Sequence, residues 1–254
     1  MPYAGEIYYR GSIQEDNSRD ALFLIHGAGG SYLYWPPEIR HLPGGNILAV
    51  DLHGHGESAG DCKTSIEANA RALLEFMDYL AINRAVLGGH SMGSAIAQRM
   101  SLDYPERVVG LVLVGAGAKL RVNPQLLEDC SSVDTYPQAV SQILEWSFSQ
   151  YADMKLVGLA GERLKELSPG VLSADFAACN EFDIREEVGN IKLPALIICG
   201  EDDQMTPVNF SEYLAERIPG SRLEIIQEAG HMVMLEKPEV VARLINEFME
   251  ELAR

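Results

Sequence analysis

Cysteine is scarce in this chain of 254 residues, and the four present, Cys62, Cys130, Cys179 and Cys199, show neither Cys-x-x-Cys nor Cys/His spacing. That argues against a zinc site and against a disulfide framework; reduced thiols are expected, with Cys199 buried in a strand. Positive charge is also in short supply, since 20 Lys+Arg stand against 37 Asp+Glu for a net charge of −17, and no basic run occurs. A nucleic-acid or anionic-membrane surface needs such a run, so neither partner is expected, and the acidity is read as a solubility feature. No apolar stretch approaches the ~18 residues of a membrane span. The start, Met1-Pro2-Tyr3-Ala4-Gly5-Glu6, has neither the charged nor the apolar part of a secretory leader. A soluble, cytoplasmic protein without membrane insertion is the expectation. Internal repeats, low-complexity segments, the Gly-Lys-Ser/Thr of a P-loop and the Gly-x-Gly-x-x-Gly fingerprint are missing too, which removes the usual phosphate-cradling readings of a glycine-rich loop.

What is there is an alternation of apolar runs with segments of helical period. Residues 6–10 form a short strand candidate and 14–20 a polar turn. The run 21–25, Ala-Leu-Phe-Leu-Ile, is apolar throughout, as a strand buried on both faces of a parallel sheet should be. Further strands are expected at 46–50, 108–114, 194–199 and 222–226, and helices at 65–80, around 212–217 behind Pro207, and at 238–252. This pattern specifies an α/β fold, a mostly parallel central sheet with helices on both faces. Between 119 and 193 the alternation stops. Residues 138–146 and 154–167 read as helices, and Pro124, Pro137 and Pro169 punctuate the stretch. Two crossover helices need far fewer residues, so 119–193 is expected to be a helical cap inserted over the C-terminal edge of a core made of 1–118 and 194–254.

One stretch organises the rest. Residues 84–97 run from apolar residues through Gly88-Gly89-His90-Ser91-Met92-Gly93 into an Ala-rich helical segment, which reads as strand, sharp turn, helix. Gly89-His90-Ser91-Met92-Gly93 matches Gly-x-Ser-x-Gly, the nucleophile elbow, in which a strained serine projects its hydroxyl above the sheet edge. Alone that match is weak. In order with it stand His26-Gly27, Asp51 with Gly54-His55-Gly56-Glu57-Ser58, Gly200-Glu201-Asp202-Asp203 with Pro207, and Gly230-His231. Together these motifs resemble the α/β-hydrolase superfamily over nearly the whole chain outside the cap. The resemblance implies an esterase-type serine hydrolase.

A serine hydroxyl needs an imidazole to take its proton, and the imidazole needs a carboxylate to fix its tautomer. In the fold that the chain resembles, the order is Ser, acid, His. Of six histidines only His231 follows Ser91, which assigns it as the base. Glu201, Asp202 and Asp203 are consecutive; the resembling pattern Gly-x-x-Asp-x-x-x-Pro and the reach of the loop favour Asp203, with Asp202 as runner-up. Oxyanion donors are expected at the backbone N–H groups of Met92, at the mouth of the elbow helix, and Ala28, in the glycine-rich loop. Asp51 and the 53–58 loop are read as braces of the fold, and His26 as a structural support of the oxyanion loop. Tyr32, Trp35, Met205 and Met232, with Tyr34, Met92 and Met234, lie beside these motifs and suggest an apolar pocket.

The expected function is hydrolysis of a small-to-medium carboxylic ester through an acyl-Ser91 intermediate, with no metal and no organic cofactor and a small-molecule ester as partner. The same triad also serves carbon–carbon bond hydrolysis, for which Arg163 or Arg185 would meet a substrate carboxylate, and cofactor-free perhydrolysis. A ligand receptor on this fold is a third reading, and a homodimer is left open.

Overall fold

The computed structural model describes residues 2–13 and 19–253; the turn expected at 14–20 lies largely outside them. Eight strands are described: β1 (Tyr3–Ala4), β2 (Ile7–Ser12), β3 (Ala21–Ile25), β4 (Ile47–Val50), β5 (Ala85–His90), β6 (Val108–Val114), β7 (Ala195–Gly200) and β8 (Arg222–Ile226). They form one sheet in the order β1-β2-β4-β3-β5-β6-β7-β8. The first two are antiparallel to their neighbours, and every pairing from β4 to β8 is parallel. β1 was not expected from the sequence, because two residues carry no periodicity to read.

The helices are α1 (Pro37–Arg40), α2 (Ile66–Tyr79), α3 (Met92–Asp103), α4 (Pro124–Cys130), α5 (Tyr136–Ser147), α6 (Met154–Glu166), α7 (Pro169–Glu181), α8 (Val208–Arg217), α9 (Val233–Glu236) and α10 (Pro238–Leu252). Their ends follow local chemistry. Ser65 caps α2 by accepting the Ala68 N–H at 3.1 Å, and Pro207 stands at the entrance of α8, where its missing N–H costs nothing.

Successive residues of a strand face opposite ways, and the core divides accordingly. Phe23, Ile25, Leu48, Val50, Leu87, Leu111 and Ile197 pack with α2 and α3 on one face. Leu22, Leu24, Ala49, Val86, Val112, Leu196 and Ile198 pack with α1 and α10 on the other. Between β6 and β7 the chain makes the helices α4 to α7, which share a third apolar cluster around Tyr136, Ile143, Leu172 and Phe176, and an isolated antiparallel bridge pairs Lys119 with Asp183. That cluster also takes in Ala28 and Met205, which follow β3 and β7, so these helices sit at the C-terminal edge of the sheet. The expected helices at 138–146 and 154–167 are the middle two. α4 and α7 escaped the periodicity reading because one is a short segment and the other mixes alanines with Gly170, Ser173 and Asp175 on all sides.

Candidate active site

β5 ends at His90 and α3 begins at Met92, so Ser91 alone makes the turn. Its φ of 52° and ψ of −114° lie outside the regions open to an L-residue without strain. A Cβ on Gly89 would fall on the Gly93 carbonyl, and one on Gly93 would fall on the carbonyls of Ile25 and His26. Strand, helix and the end of β3 therefore meet at a separation that only glycine permits. Ser91 lines a cavity of about 280 Å³.

β7 runs through Gly200, one residue beyond the expected strand end, because Gly200 still pairs with Ile226. The loop that follows carries Asp203, 4% exposed, whose Oδ2 lies 2.9 Å from Nδ1 of His231, itself 3% exposed. A carboxylate only accepts, so Nδ1 carries the proton and Nε2 is left basic. Asp203 Oδ1 accepts the N–H groups of Met205 at 2.9 Å and Thr206 at 2.8 Å, and the Thr206 hydroxyl donates to Oδ2 at 2.8 Å. Asp202 makes no bond to the imidazole. Its Oδ2 has no hydrogen-bond partner among the described residues, and Glu201 is exposed. The histidine loop is tied down from two sides: Gly230 N–H donates to Glu236 Oε1 at 2.8 Å and Met232 N–H to the Ser147 carbonyl at 3.0 Å. His90 completes the link, donating from Nε2 to the His231 carbonyl at 3.1 Å with the two rings 4.6 Å apart. Burial, and then the nearby His231, push His90 well below the ordinary histidine range, so it stays neutral.

The loop after β3 is held with equal economy. His26 Nδ1 donates to the Gly27 carbonyl at 2.8 Å, and its Nε2 accepts the Leu52 N–H at 3.0 Å, which fixes one neutral tautomer. Burial pushes its pKa well below the usual value, helped by the charge of His55. Gly30 N–H also donates to the Gly27 carbonyl, at 3.1 Å. Gly27 C=O and Ala28 N–H share one trans peptide, so anchoring the carbonyl on one side turns the amide to the other. A Cβ on Gly27 would come within 3.1 Å of Ser91 Cβ, which places this loop against the elbow. Asp51 braces the neighbouring segments, accepting the N–H groups of Tyr32 at 2.6 Å and Glu57 at 2.9 Å. Burial raises its pKa first of all, against these hydrogen bonds.

The cavity at Ser91 is lined mainly by Leu120, Val122, Leu126, Trp146, Phe176 and Met205, with Arg121 its one charged lining side chain among the described residues. Residues 22–244 match the model of the alpha/beta hydrolase family. The chain belongs to that family. Among the relatives of this alpha/beta hydrolase, Protein ABHD8 of Mus musculus is 30% identical over 240 residues, covering 90% of this chain and 54% of that protein. The chain thus spans about half the length of the first curated relatives it matches. It is 28% identical over 244 residues to a pimeloyl-[acyl-carrier protein] methyl ester esterase of Neisseria meningitidis serogroup A / serotype 4A (strain DSM 15465 / Z2491), covering 90% of this chain and 76% of that one. The solved structure of a thermophilic esterase superposes with a TM-score of 0.83 at 30% identity, covering 97% of this chain and 98% of the other.

Of the expected pocket residues, Met205 lines the cavity of the alpha/beta hydrolase and the other three do not. Trp35 is fully buried and Met232 nearly so, both in the core on the α1 and α10 face of the sheet. Tyr32 lies under the guanidinium groups of Arg10 and Arg40, at 5.9 and 5.4 Å. After the glycine loop the chain turns before α1 and takes Tyr32 and Trp35 to the α1 and α10 face, and Met232 reaches the same cluster from the loop after β8. Arg185 is bound to Asp183 at 2.7 Å and lines a separate surface cavity, and Arg163 is exposed on α6. Neither lines the Ser91 cavity. Sequence reasoning missed Arg121, Trp146 and Phe176, which come from separate segments with no shared motif. The four cysteines are free, Cys199 buried within β7 and only Cys62 partly exposed. Among the described residues no helix is long and apolar enough to cross a membrane.

Proposed function

We propose that this alpha/beta hydrolase cleaves a carboxylic ester through an acyl-Ser91 intermediate. The observation that carries the reading is a strained serine at φ 52° lining a cleft, with a buried Asp203–His231 pair at 2.9 Å behind the Thr206 wall of the same cleft. In this mechanism His231 Nε2 takes the Ser91 proton as Oγ adds to the ester carbonyl. Asp203 holds the ring in the productive tautomer and stabilises the imidazolium. The tetrahedral oxyanion is met by the N–H groups of Ala28 and Met92, the latter in the first turn of α3 where amides have no intrahelical acceptor. The imidazolium then protonates the leaving alkoxide, and water, activated by the same ring, releases the acid. None of these steps calls on a metal or organic cofactor. The esterases among its relatives support the reaction class.

The cavity volume falls near the lower end of the ~300–1,000 Å³ usual for small-molecule sites, which favours short or medium acyl groups. Its walls are mainly apolar, so the acyl chain gains by leaving water there. Two experiments test the reading. A fluorophosphonate should label the protein at Ser91, located by peptide mass spectrometry, and p-nitrophenyl esters of increasing acyl length should turn over many times per site. A stoichiometric burst without turnover identifies a receptor, and absence of both labelling and turnover removes the serine-hydrolase reading.

A further inference from the structure

α7 carries a carboxylate on its buried face. Asp175 falls with Leu172, Phe176 and Cys179 at helical spacing and is 1% exposed. A charge that deep is destabilising unless it is paired, and here Oδ2 has two partners. Oδ2 accepts the Gly29 N–H at 2.8 Å and bonds His55 Nε2 at 2.8 Å. The other ring nitrogen, Nδ1, lies 3.0 Å from the His53 carbonyl. A carbonyl and an ionised carboxylate only accept, so beside ionised Asp175 both ring nitrogens of His55 donate. Burial opposes a charged ring, yet the hydrogen bond and charge of Asp175, with the His53 carbonyl and Asp51, raise the pKa of His55 overall. The ring of His26 lies 4.8 Å from that of His55.

Gly29 and its neighbours make the loop that follows β3. Gly29 has φ +63°, and a Cβ there would come within 3.0 Å of Leu172 and Leu167, so α7 and the residues before it press directly on this glycine. The peptide before Ala28 is fixed by His26 and Gly30 through the Gly27 carbonyl, and the peptide after it is fixed by Asp175 through the Gly29 N–H. Ala28 is held on both sides. One of the two holds comes from a helix more than a hundred residues downstream, which also supplies Phe176 and Cys179 to the cavity wall.

We propose that Asp175, supported by His55, is a positioning residue of the reaction: it locks the 27–30 loop so that Ala28 N–H faces the oxyanion. The proposal rests on the serine-hydrolase reading above. A donor that is already oriented contributes to the transition state rather than to substrate binding, so loss of the lock lowers kcat and leaves KM nearly unchanged.

The test uses Asp175→Leu and Asp175→Asn in the full chain. Leu is compatible with its buried neighbours Leu172 and Phe176 and removes the acceptor; Asn keeps an oxygen for Gly29 N–H, and neutral His55 can accept from its amide. With active sites counted by fluorophosphonate labelling, Asp175→Leu should lower kcat about 10- to 100-fold per labelled site, less than or equal to the loss of a whole oxyanion donor. KM should stay within about threefold, and Asp175→Asn should recover most of the rate. If Asp175→Leu does not fold, His55→Gln reads the same unit and should cost several-fold in kcat. An unchanged kcat per labelled site in the folded variants, or an Asn variant as slow as the Leu variant, overturns the positioning role. A wild-type protein that neither labels nor turns over fails at the earlier reading instead.

Discussion

Gly200 and Gly230 touch backbone to backbone where β7 ends: a Cβ on Gly200 would fall on the carbonyl oxygens of Ala229 and Gly230. This crossing brings the loop of Asp203 against the loop of His231. Asp202 N–H donates to the Ala229 carbonyl at 2.9 Å beside it, so the two loops are stitched as well as packed. Gly200→Ala should therefore cost about 1–3 kcal/mol of stability, the range for forcing a methyl into a filled interior, and should lower activity more than stability alone explains. Chemical denaturation alongside kcat per labelled site checks both parts.

Ser91→Ala removes one hydroxyl and nothing else from the elbow. Turnover should fall by ~10⁴-fold or more, as for triad members that act as a unit, while the thermal midpoint stays close to that of the parent. Activity retained within tenfold would falsify the acyl-Ser91 mechanism.

The three adjacent carboxylates should separate by function. Asp203→Asn leaves the fold in place yet favours the wrong imidazole tautomer, lowering kcat by roughly 10²- to 10⁴-fold. Asp202→Asn and Glu201→Gln should each cost less than about tenfold, because neither carboxylate bonds the imidazole, which is held by Asp203, and a charge that does not touch the ring acts on it only through its field. Steady-state kinetics of the three variants decides the matter; a crippled Asp202→Asn would transfer the role to Asp202.

Arg121 predicts a charge preference. It is exposed and is the one charged side chain, among the described residues, lining a largely apolar cavity in a chain of net charge −17. Arg121→Gln should raise KM for esters carrying a carboxylate by a few-fold and leave neutral esters alone, since exposed ion pairs are worth ~1 kcal/mol or less. The difference should shrink in high salt. Equal effects on neutral and anionic esters would assign Arg121 to packing.

Buried histidines predict how stability follows pH. His26 and His90 have folded pKa values far below the ~6.5 of an unfolded histidine. Between those values the unfolded chain binds more protons, so stability falls on acidification below about pH 6.5, by up to ~1.4 kcal/mol per pH unit for each. His55 has the opposite sign. Its folded pKa is raised, so its contribution is complete below about pH 6.5 and is lost as the pH climbs through the folded value. The thermal midpoint measured from pH 5 to 9 should decline at both ends. In His55→Gln the alkaline decline should flatten, and its persistence there would assign it to other groups.

Much of this molecule is written locally. The strands at 21–25, 108–114 and 222–226 and the helix at 238–252 stand where the apolar periods put them, because burial on one or both faces of an element is recorded residue by residue. The same holds for Ser91, whose strain and flanking glycines belong to five consecutive residues. The order of motifs sufficed for the family.

Tertiary structure decided what depends on segments distant in sequence. Three neighbouring carboxylates look alike until the Gly200–Gly230 contact selects which faces His231. Tyr32 and Trp35 look like pocket residues until the turn before α1 carries them to the other sheet face. The cavity wall combines residues 91, 120–123, 126, 146, 176, 179 and 204–206, and it shows no single period because it is assembled from several separate segments. Asp175 did leave a trace, a lone carboxylate among Leu172, Phe176 and Cys179. Its partners at Gly29 and His55 lie more than a hundred residues away, and only the packing of α7 against the sheet edge determines that a buried charge there meets two donors rather than none.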